Sequence, residues 1–450
     1  MKAYDSYKNT NIQWLGQIPS HWNHCQLRHT ILQMTTGLNP RNNFVLTKED
    51  EYFYVTIRNF KDGVLYLDDN CDRISKNAWE IIQERSDLMA GDILFASISH
   101  NGQAYLVKED PTNWNINESV FKLRFRKHIV PMFAYYVLTS DAFYNEMASD
   151  ATGSTFKSIK QNKLRANYFP VPPIEEQKAI ADFLDVKTSE LEAERQNILK
   201  QIDFLEELKL SIITNVVTRG LDENVELKDS GKMWIGKIPS HWEIRKIKFC
   251  VVQTKEGIKM GPFGSSLTGK VLLNRPYKVY GQWNVIGRDF TAGLGTISAE
   301  DYKDLQSFKV VPNDILISMM GTIGKCAIVP DGIQEGVMDS HIVKVRLDKR
   351  IIDSRYFMYV YDKDYTDVVY SQILMEKKGS IMDGLNSTII KNFSLPVPPI
   401  GEQQAIADYL DVQITKINEQ IELQEQQIRL IDELKQSIIS QAVTGKIKAF

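Results

Sequence analysis

Two stretches of the chain carry apolar side chains at alternating steps of three and four residues, a spacing that forms one stripe along an α-helix. Each stretch follows the sequence V-P-P-I and is rich in Glu, Gln, Lys, Ile, Leu and Ala. The pattern predicts one long helix from about Ile174 to Val217 and another from about Ile400 to Val443. At 1.5 Å per residue, ~40 residues span ~60 Å. The stripe, called the seam below, comprises Thr188, Leu191, Arg195, Ile198, Ile202, Leu205, Lys209 and Ile212 and, 226 residues later, Ile414, Ile417, Ile421, Gln424, Ile428, Ile431, Lys435 and Ile438.

An apolar seam must be buried against another helix. The two predicted helices are natural partners for each other, because pairing within one chain costs little. An antiparallel pairing would return the C-terminus to the N-terminus and give the molecule a pseudo-two-fold arrangement. The alternative, in which each helix pairs with another chain, stays open because a seam this short is not selective.

The regions that precede the helices contain short apolar runs that indicate strands, each followed by a helical stretch. In the first region the predicted strands and helix are Tyr52–Ile57, Ile93–Ile98, Tyr105–Val107, Phe121–Phe125 and the helix Pro131–Ala148. In the second they are Val310–Val311, Ile315–Met319, Cys326–Val329, Ile342–Leu347 and the helix Ser354–Leu374. Strands and helices that mix without regular βαβ alternation favour an α+β fold class, with two mixed α/β domains separated by two long antiparallel coiled-coil helices.

The chain also repeats its own sequence. Trp14–Trp22 (WLGQIPSHW) returns as Trp234–Trp242 (WIGKIPSHW), and Phe169–Asp185 (FPVPPIEEQKAIADFLD) returns as Leu395–Asp411 (LPVPPIGEQQAIADYLD). The shorter match between Gly91–Ser97 and Asn313–Met319 indicates that the divergent regions are homologous too. One repeat of this length is a domain duplication rather than a solenoid. The predicted parts are a first domain (1–168), a central helix (169–220), a linker (221–233), a second domain (234–395) and a C-terminal helix (396–450).

Charge is distributed unevenly between these parts. The whole chain has a net charge of −3, but residues 1–168 carry +1 and residues 227–395 carry +6, whereas 169–226 carry −7 and 396–450 carry −3. A surface that binds a polyanion is therefore expected on the divergent domains, above all on the second. Chance and solvated acidic helices would give the same totals, so charge alone leaves the partner open.

Residues with the spacing of a catalytic or metal site are scarce. Gly264–Lys270 (GSSLTGK) has the spacing of a phosphate-binding loop, but Val271 stands where that motif needs Ser or Thr for Mg²⁺. No Asn or Asp precedes a Pro-Pro-aromatic sequence, as in adenine methyltransferases, and the four cysteines are scattered. His21 and His241 lie in the repeated P-S-H-W, where we expect them to pack structurally beside tryptophan. The chain is predicted to be non-catalytic and to hold no metal or cofactor of its own.

No apolar run approaches the length of a membrane span, and the first residues, MKAYDSYKNT, lack the apolar core of a signal peptide. We therefore expect a cytoplasmic protein without membrane contact.

The repeated motifs resemble those of one family, the specificity subunits of type I restriction–modification enzymes. The resemblance rests on the two W-x-G-x-I-P-S-H-W sequences, on the loop GPFGSSL (Gly261–Leu267) and on the two P-P-x-x-E-Q sequences that open long helices. It covers essentially the whole chain. In the first domain, Thr36–Arg41 (TGLNPR) occupies the place of the GPFGSSL loop, so the comparison does not extend to each loop.

The resemblance implies that each domain is a target-recognition domain that reads one half of an asymmetric, bipartite sequence in double-stranded DNA. It implies that the helices dock two methyltransferase subunits and that restriction/translocase subunits complete the enzyme. S-adenosylmethionine, ATP and Mg²⁺ would then belong to the partner subunits. The target sequence itself depends on loop geometry and is not predicted.

Side chains that could read base edges are those with paired donors and acceptors, because Asn and Gln match adenine and Arg matches guanine in the major groove. The candidates in the first domain are Arg41, Asn42, Asn43, Arg58, Asn59, His100 and Asn101. In the second domain they are Lys259, Ser265, Ser266, Lys270, Gln282, Asn284 and Arg288. Any single one could instead be an ordinary polar loop residue.

Two other function classes remain open at the sequence level. One is a DNA-binding enzyme with its own methyltransferase or nuclease activity, which the missing motifs disfavour. The other is a helical adaptor without DNA contact, which would lack the steep salt dependence of DNA binding.

Overall fold

A computed structural model describes residues 3–41, 43–61, 63–97, 103–148, 159–263, 266–293, 295–377 and 385–449. The chain forms two compact units. The first unit comprises Met1–Ile198 with Glu425–Phe450, and the second comprises Leu199–Gln424. Within the described ranges, no helix is long and apolar enough to cross a membrane.

The first unit contains short strands and short helices that precede the first long helix. The strands are β1 (Tyr7–Asn9), β2 (Gln17–Pro19), β3 (Asn23–Gln26), β4 (Ile31–Thr36), β5 (Tyr52–Val55), β6 (Phe60–Lys61), β7 (Val64–Leu65), β8 (Arg73–Ile74), β9 (Ile93–Ala96), β10 (Ala104–Leu106), β11 (Trp114–Ile116), β12 (Val120–Phe125) and β13 (Tyr168–Val171). The helices are α1 (Lys76–Ser86), α2 (Pro131–Thr139), α3 (Asp141–Ala148) and α4 (Gln161–Ala166). Helix α5 (Ile174–Arg219) begins in this unit and continues into the next.

The second unit repeats this composition. Its strands are β14 (Leu227–Asp229), β15 (Lys237–Pro239), β16 (Glu243–Lys246), β17 (Ile258–Met260), β18 (Tyr277–Tyr280), β19 (Thr296–Ile297), β20 (Lys309–Val310), β21 (Ile315–Ser318), β22 (Cys326–Ile328), β23 (Gly336–Met338), β24 (Ile342–Val345) and β25 (Ser394–Val397). Its helices are α6 (Gln282–Ile286), α7 (Ala299–Asp304), α8 (Ser354–Tyr361), α9 (Asp367–Lys377) and α10 (Ser387–Asn392), followed by α11 (Ile400–Val443), which returns to the first unit.

The sheets of the two units share one topology. An antiparallel sheet has the order β10-β9-β12-β4 in the first unit and β22-β21-β24-β17 in the second. A second sheet, with the order β11-β5-β8 in the first unit and β20-β23-β18-β19 in the second, contains one parallel pair, β11 beside β5 and β23 beside β18. The homology predicted from the short match between Gly91–Ser97 and Asn313–Met319 is therefore visible in the strand order, and the α+β fold class is confirmed.

Each core combines a sheet with parts of both long helices. In the first unit, apolar side chains of β4, β9 and β12 pack with Ile180 and Leu184 from the start of α5 and with Ala442 and Val443 from the end of α11. In the second unit, β21 and β24 pack with Ile406 and Leu410 from the start of α11 and with residues near the end of α5. In both units, therefore, one long helix begins where the other ends.

The long helices follow the predicted seam closely. Helix α5 begins at the predicted residue and ends two residues later than predicted, and α11 has the predicted bounds. Each of the sixteen seam positions is buried or half-buried. Arg195 lies 3.4 Å from Asp432 in the first unit, and Lys209 donates to Asn418 at 3.1 Å in the second. From Arg195 to Lys209 the residue number rises along α5, whereas that of the partner falls from Asp432 to Asn418 along α11. The predicted antiparallel pairing is therefore confirmed.

The single helices predicted in both domains are wrong, because each is broken into two. The first break is at Ser140, whose hydroxyl accepts from the backbone N–H of Phe143 at 3.3 Å and so begins α3. In the second domain the break spans Asp362 to Thr366, and Thr366 accepts from the N–H of Val368 at 3.3 Å. A Ser or Thr that caps a new helix competes with helix continuation, and the apolar pattern alone does not reveal it.

Candidate nucleic-acid interface

The two repeated motifs contact each other through one glutamate in each unit. In the first unit, Glu176 accepts from the indole N–H of Trp22 at 2.9 Å and lies 2.6 Å from the His21 Nε2 atom. In the second unit Glu402 holds Trp242 and His241 in the same way, at 2.9 Å and 2.8 Å. The His241 and Trp242 rings lie 6.5 Å apart in the second unit, and packing of both histidines beside tryptophan stays a prediction. The P-S-H-W and E-Q sequences repeat together because they form one junction between domain and helix.

A glutamine next to that glutamate fixes the far end of the antiparallel sheet. The buried Gln177 side chain accepts from the N–H of Val130 at 2.8 Å and donates to the carbonyls of His128 and Pro172 at 3.0 and 2.9 Å. Gln403 makes the equivalent three bonds to Asp353, Ile351 and Pro398, at 2.8, 2.9 and 2.8 Å. Because β12 ends just before His128, this end of the sheet is attached to the helix, and the opposite end is left for other contacts.

That opposite end collects several loops in the first unit. The register pairs Thr36 with Phe121 and Ala96 with Val120, so β4 and β9 both end where β12 begins. Asn117 connects the end of β5, in the second sheet, to the end of β4. Its N–H donates to the carbonyl of Val55 at 2.9 Å, and its carbonyl accepts from the N–H of Gly37 at 3.1 Å. The loops after β4, β5 and β9 therefore leave the domain at one edge, called the loop edge below.

The second unit forms its own loop edge in the same way. The N–H of Gly261 donates to Ile342 at 2.9 Å, that of Asp339 donates to Tyr280 at 2.9 Å, and that of Met319 donates to His341 at 3.1 Å. The ends of β17, β18, β21 and β23 and the start of β24 therefore meet there.

A glycine marks the same point of each loop edge. A Cβ atom on Gly37 would lie 1.6 Å from the carbonyl oxygen of Ile116, and one on Gly261 would lie 1.7 Å from that of Asp339. Only a residue without a side chain allows the backbones to approach so closely. Gly37 of TGLNPR is therefore the structural equivalent of Gly261, the first glycine of GPFGSSL, a residue match that the sequence comparison did not give.

Some candidates of the first domain are exposed at its loop edge. Arg41, Asn43 and Arg58 have exposed side chains. Asn59 instead caps a short 3₁₀ turn, because its carbonyl oxygen accepts from the N–H of Thr56 at 2.8 Å while its amide donates to the Tyr66 carbonyl at 3.2 Å. The candidates Asn42, His100 and Asn101 lie outside the described residues. DNA contact by any of these seven residues stays a prediction.

The charged candidates of the second domain are largely occupied by ion pairs. Lys259 lies 3.3 Å from Glu256, and Lys270 lies 3.2 Å from Asp301. The Arg288 guanidinium lies 2.9 Å from the buried Asp362 carboxylate and 4.7 Å from the centre of the Tyr365 ring. The acidic partners in these ion pairs offset the positive charge of the three candidates.

Among the polar candidates of the second domain, as among those of the first, the asparagine has a structural role within its turn. Asn284 is buried, accepts from the N–H of Gly281 at 2.9 Å and donates to the carbonyls of Asp289 and Ala292, both at 2.8 Å. It is the counterpart of Asn59, and both shape the turn that follows the central strand of the second sheet. Gln282 accepts from the N–H of Met320 at 3.1 Å, Ser266 is half-buried, and Ser265 lies outside the described residues.

Two exposed aromatic residues at the second loop edge were not among the candidates. Trp283 lies just before Asn284, at the position that Arg58 has beside Asn59, and 82% of its surface is exposed. Phe263, two residues after Gly261, is 87% exposed. The sequence signal is the replacement of I-R-N by Q-W-N after equivalent strands, but only the structure separates the capping asparagine from its exposed neighbour. Large exposed apolar side chains of this kind commonly mark a contact surface.

One acidic side chain is also present at this edge. Asp339 accepts from the N–H of His341 at 2.7 Å, and burial raises the pKa of its carboxyl above the usual range. A carboxylate can accept from the amino group of cytosine, so an acidic group is compatible with base recognition.

The comparison with known families gives two matches to the chain. The family described as type I restriction modification DNA specificity domain matches residues 32–202 and 254–428. Each match contains one antiparallel sheet, its loop edge and the first part of a long helix.

Individual relatives extend over nearly the whole chain. The MjaX type I restriction enzyme specificity subunit of Methanocaldococcus jannaschii, as that protein is named, is 25% identical over 99% of this chain and 97% of its own length. The MjaVIII specificity subunit of the same organism is 23% identical over 98% of this chain and 97% of its own length.

A solved structure shares the fold. It comes from work on complex assembly and conformational transition of the type I R-M system, has a TM-score of 0.70 and 16% identity, and is matched over 96% of this chain and 99% of its own. Because the two family matches together cover well over half of the sequence, this chain belongs to the type I restriction–modification DNA specificity domain family.

Proposed function

We propose that this chain selects the DNA sequence for a type I restriction–modification enzyme. Each loop edge reads one half of an asymmetric, bipartite target in double-stranded DNA. The chain supplies specificity and no catalysis, so S-adenosylmethionine, ATP and Mg²⁺ act in partner subunits. The proposal extends the family membership to a defined surface of this chain.

The observation that carries the proposal is that the two units share one sheet topology but have different side chains at their loop edges. The junction residues are the same in both units: Glu176 and Glu402 make equivalent bonds, as do Gln177 and Gln403. At the loop edges the side chains differ, with Arg58 in the first unit where Trp283 stands in the second. A frame that is kept while its contact residues change is expected of a protein that reads two unrelated half-sites.

The helices support a second part of the proposal, the docking of two copies of a methyltransferase subunit. Exposed apolar residues occur at equivalent positions, 226 residues apart, outside the seam. The first unit exposes Val186, Leu430 and Leu434, and the second exposes Val412, Phe204 and Leu208. Equivalent apolar surfaces in the two units suit two copies of one partner, and restriction/translocase subunits would join through them.

DNA recognition is tested by anisotropy with the assembled methyltransferase complex and DNA that carries its methylated sequence. We expect specific binding that weakens steeply with salt, because phosphate contacts release counterions. Absence of this salt-dependent DNA binding would support a helical adaptor instead. Methylation by the purified chain without partners would support an enzyme with its own active site, and either result would overturn the proposal.

Docking is tested by mass measurement of complexes formed with excess methyltransferase subunit. The double change Phe204→Glu with Leu208→Glu should reduce the number of bound copies from two to one, and Leu430→Glu with Leu434→Glu should do the same. Leu423→Glu is the matched control, because Leu423 is an exposed leucine whose counterpart, Asn197, is polar. Two bound copies in both double variants would contradict this surface.

A further inference from the structure

The first unit covers its junction glutamate with a tyrosine. The hydroxyl of Tyr4 donates to Glu176 at 3.3 Å, and its ring lies 5.7 Å from the His21 ring and 5.8 Å from the Trp22 ring. Burial and the Glu176 carboxylate raise the pKa of Tyr4, so the hydroxyl keeps its proton and remains a donor. Under this ring the Glu176 side chain is only 17% exposed.

The second unit has the same junction without the tyrosine. Strand β1 pairs with β2 as β14 pairs with β15, in a register that places Tyr7 at the position of Leu227 and Tyr4 at the position of Asn224. Asn224 is exposed and does not cover the junction. Accordingly the Glu402 side chain is 44% exposed, although its bonds to His241 and Trp242 match those of Glu176.

A cavity of about 210 Å³ lies at this point of the second unit, lined by residues that include Gly220, Val225, Pro239, His241, Glu402 and Ala405. An apolar cavity of ~150 Å³ is large enough to admit benzene. The first-unit equivalent of Ala405 is Ala179, which is half-buried, whereas Ala405 is exposed. At the junction, the tyrosine ring of the first unit thus has no counterpart at the aligned position of the second, which is Asn224.

We propose that this cavity is a binding site for a tyrosine side chain presented by another polypeptide, with the phenol hydroxyl donating to Glu402. The chemistry follows the internal example, in which the segment before β1 carries Tyr4 onto the equivalent glutamate, histidine and tryptophan of the first unit. The site is independent of the loop edges, so it would add a protein contact to a chain whose proposed function concerns DNA.

Binding can be measured by saturation-transfer NMR and titration, with N-acetyltyrosinamide as the probe and the full chain as the receptor. We expect one saturable site and a loss of about tenfold in affinity for N-acetylphenylalaninamide, because a hydrogen bond to a charged group contributes about 1.5 kcal/mol or more. Ala405→Phe should abolish binding by filling the cavity. Ala193→Phe is the matched control, since Ala193 is an exposed alanine of the other long helix.

A second variant tests the internal comparison. Tyr4→Ala should open the equivalent site of the first unit and raise the stoichiometry from one to two. The proposal is overturned if the wild-type chain binds neither probe, or if Ala405→Phe binds as the wild type does. Binding of p-cresol without binding of N-acetyltyrosinamide would overturn the assignment to a polypeptide, because only free phenols would then enter.

Discussion

The Nζ atom of Lys435 lies 3.4 Å from a carboxylate oxygen of Glu192 in the first unit. The residues at the equivalent positions of the second unit are Lys209 and Asn418, which form a hydrogen bond of 3.1 Å. An equivalent lysine thus faces the equivalent position of the other helix in each unit, and its partner is a glutamate in the first unit and an asparagine in the second. Within each unit, equivalent positions of the two long helices are paired, and the pair of the second unit is a hydrogen bond rather than a salt bridge.

Seam packing, rather than charge, should stabilise the helix pair. Ile431→Ala is expected to lower the free energy of unfolding by about 2–4 kcal/mol, because Ile431 is buried and its truncation leaves a cavity. Glu192→Gln should cost about 0.5 kcal/mol, since the pair with Lys435 is partly exposed and screened. Urea denaturation of both variants measures the difference. Equal losses, or a larger loss for Glu192→Gln, would show that charge pairing stabilises the helices.

The buried glutamines should be more sensitive than their size suggests. Gln177→Ala removes three hydrogen bonds to the backbone and leaves buried polar groups without partners, so we expect a loss of about 3 kcal/mol. Gln403→Ala should behave alike in the second unit. Gln404→Ala is the control, because that side chain is exposed beside Gln403. Thermal unfolding of the three variants gives the result, and a loss for Gln404→Ala as large as for Gln403→Ala would argue against the junction.

The close approach at Gly261 should be needed for DNA binding. In Gly261→Ala the new Cβ would meet the backbone of Asp339, so the second loop edge must shift, and we expect affinity for DNA to fall at least about tenfold, ~1.4 kcal/mol. The control is Gly401→Ala, since a Cβ there meets nothing within 4 Å and alanine favours the helix. DNA titrations of both variants in the assembled complex test this. Unchanged affinity in Gly261→Ala would separate the loop edge from recognition.

The exposed residue beside each capping asparagine should contribute to recognition of one half-site only. Arg58→Ala is expected to weaken binding by about 1–3 kcal/mol and to relax preference in the half-site read by the first domain. Arg28→Ala removes the same charge from an exposed position before β4, at the other end of the sheet, and serves as the control. Binding to DNA with single substitutions in each half-site distinguishes the effects. An equal loss for Arg28→Ala would mean that Arg58 contributes only general charge.

The features that follow from local periodicity were predictable from the sequence. The bounds of α11 and the seam follow from spacing, because the seam residues face one buried side of the helix. The approximate positions of β9 and β12 follow from short apolar runs, because both faces of these strands are buried. The breaks at Ser140 and at Asp362–Thr366 were missed, since a capping hydroxyl changes the path of the chain without changing the apolar pattern.

The candidate site was predictable only as a set of loops. Asn59 and Asn284 have the residue type that reads adenine, yet their amides hold carbonyls that return from later in the chain, at Tyr66 and at Asp289 and Ala292. The exposure of Trp283 depends on the same turn, which Asn284 holds through its bonds to Asp289 and Ala292. Tertiary structure determines these hydrogen-bond partners, and the local spacing of residues does not predict them.

The central claim is that each domain reads its own half-site, and exchange of one domain tests it most directly. Residues from about 20 to 165 would be replaced by the corresponding residues of another family member, and methylated adenines would be mapped by single-molecule sequencing in cells that contain the partner subunits. We predict a bipartite, asymmetric sequence in which one half changes and the other half is retained. A change in both halves, or an uninterrupted target sequence, would contradict the account.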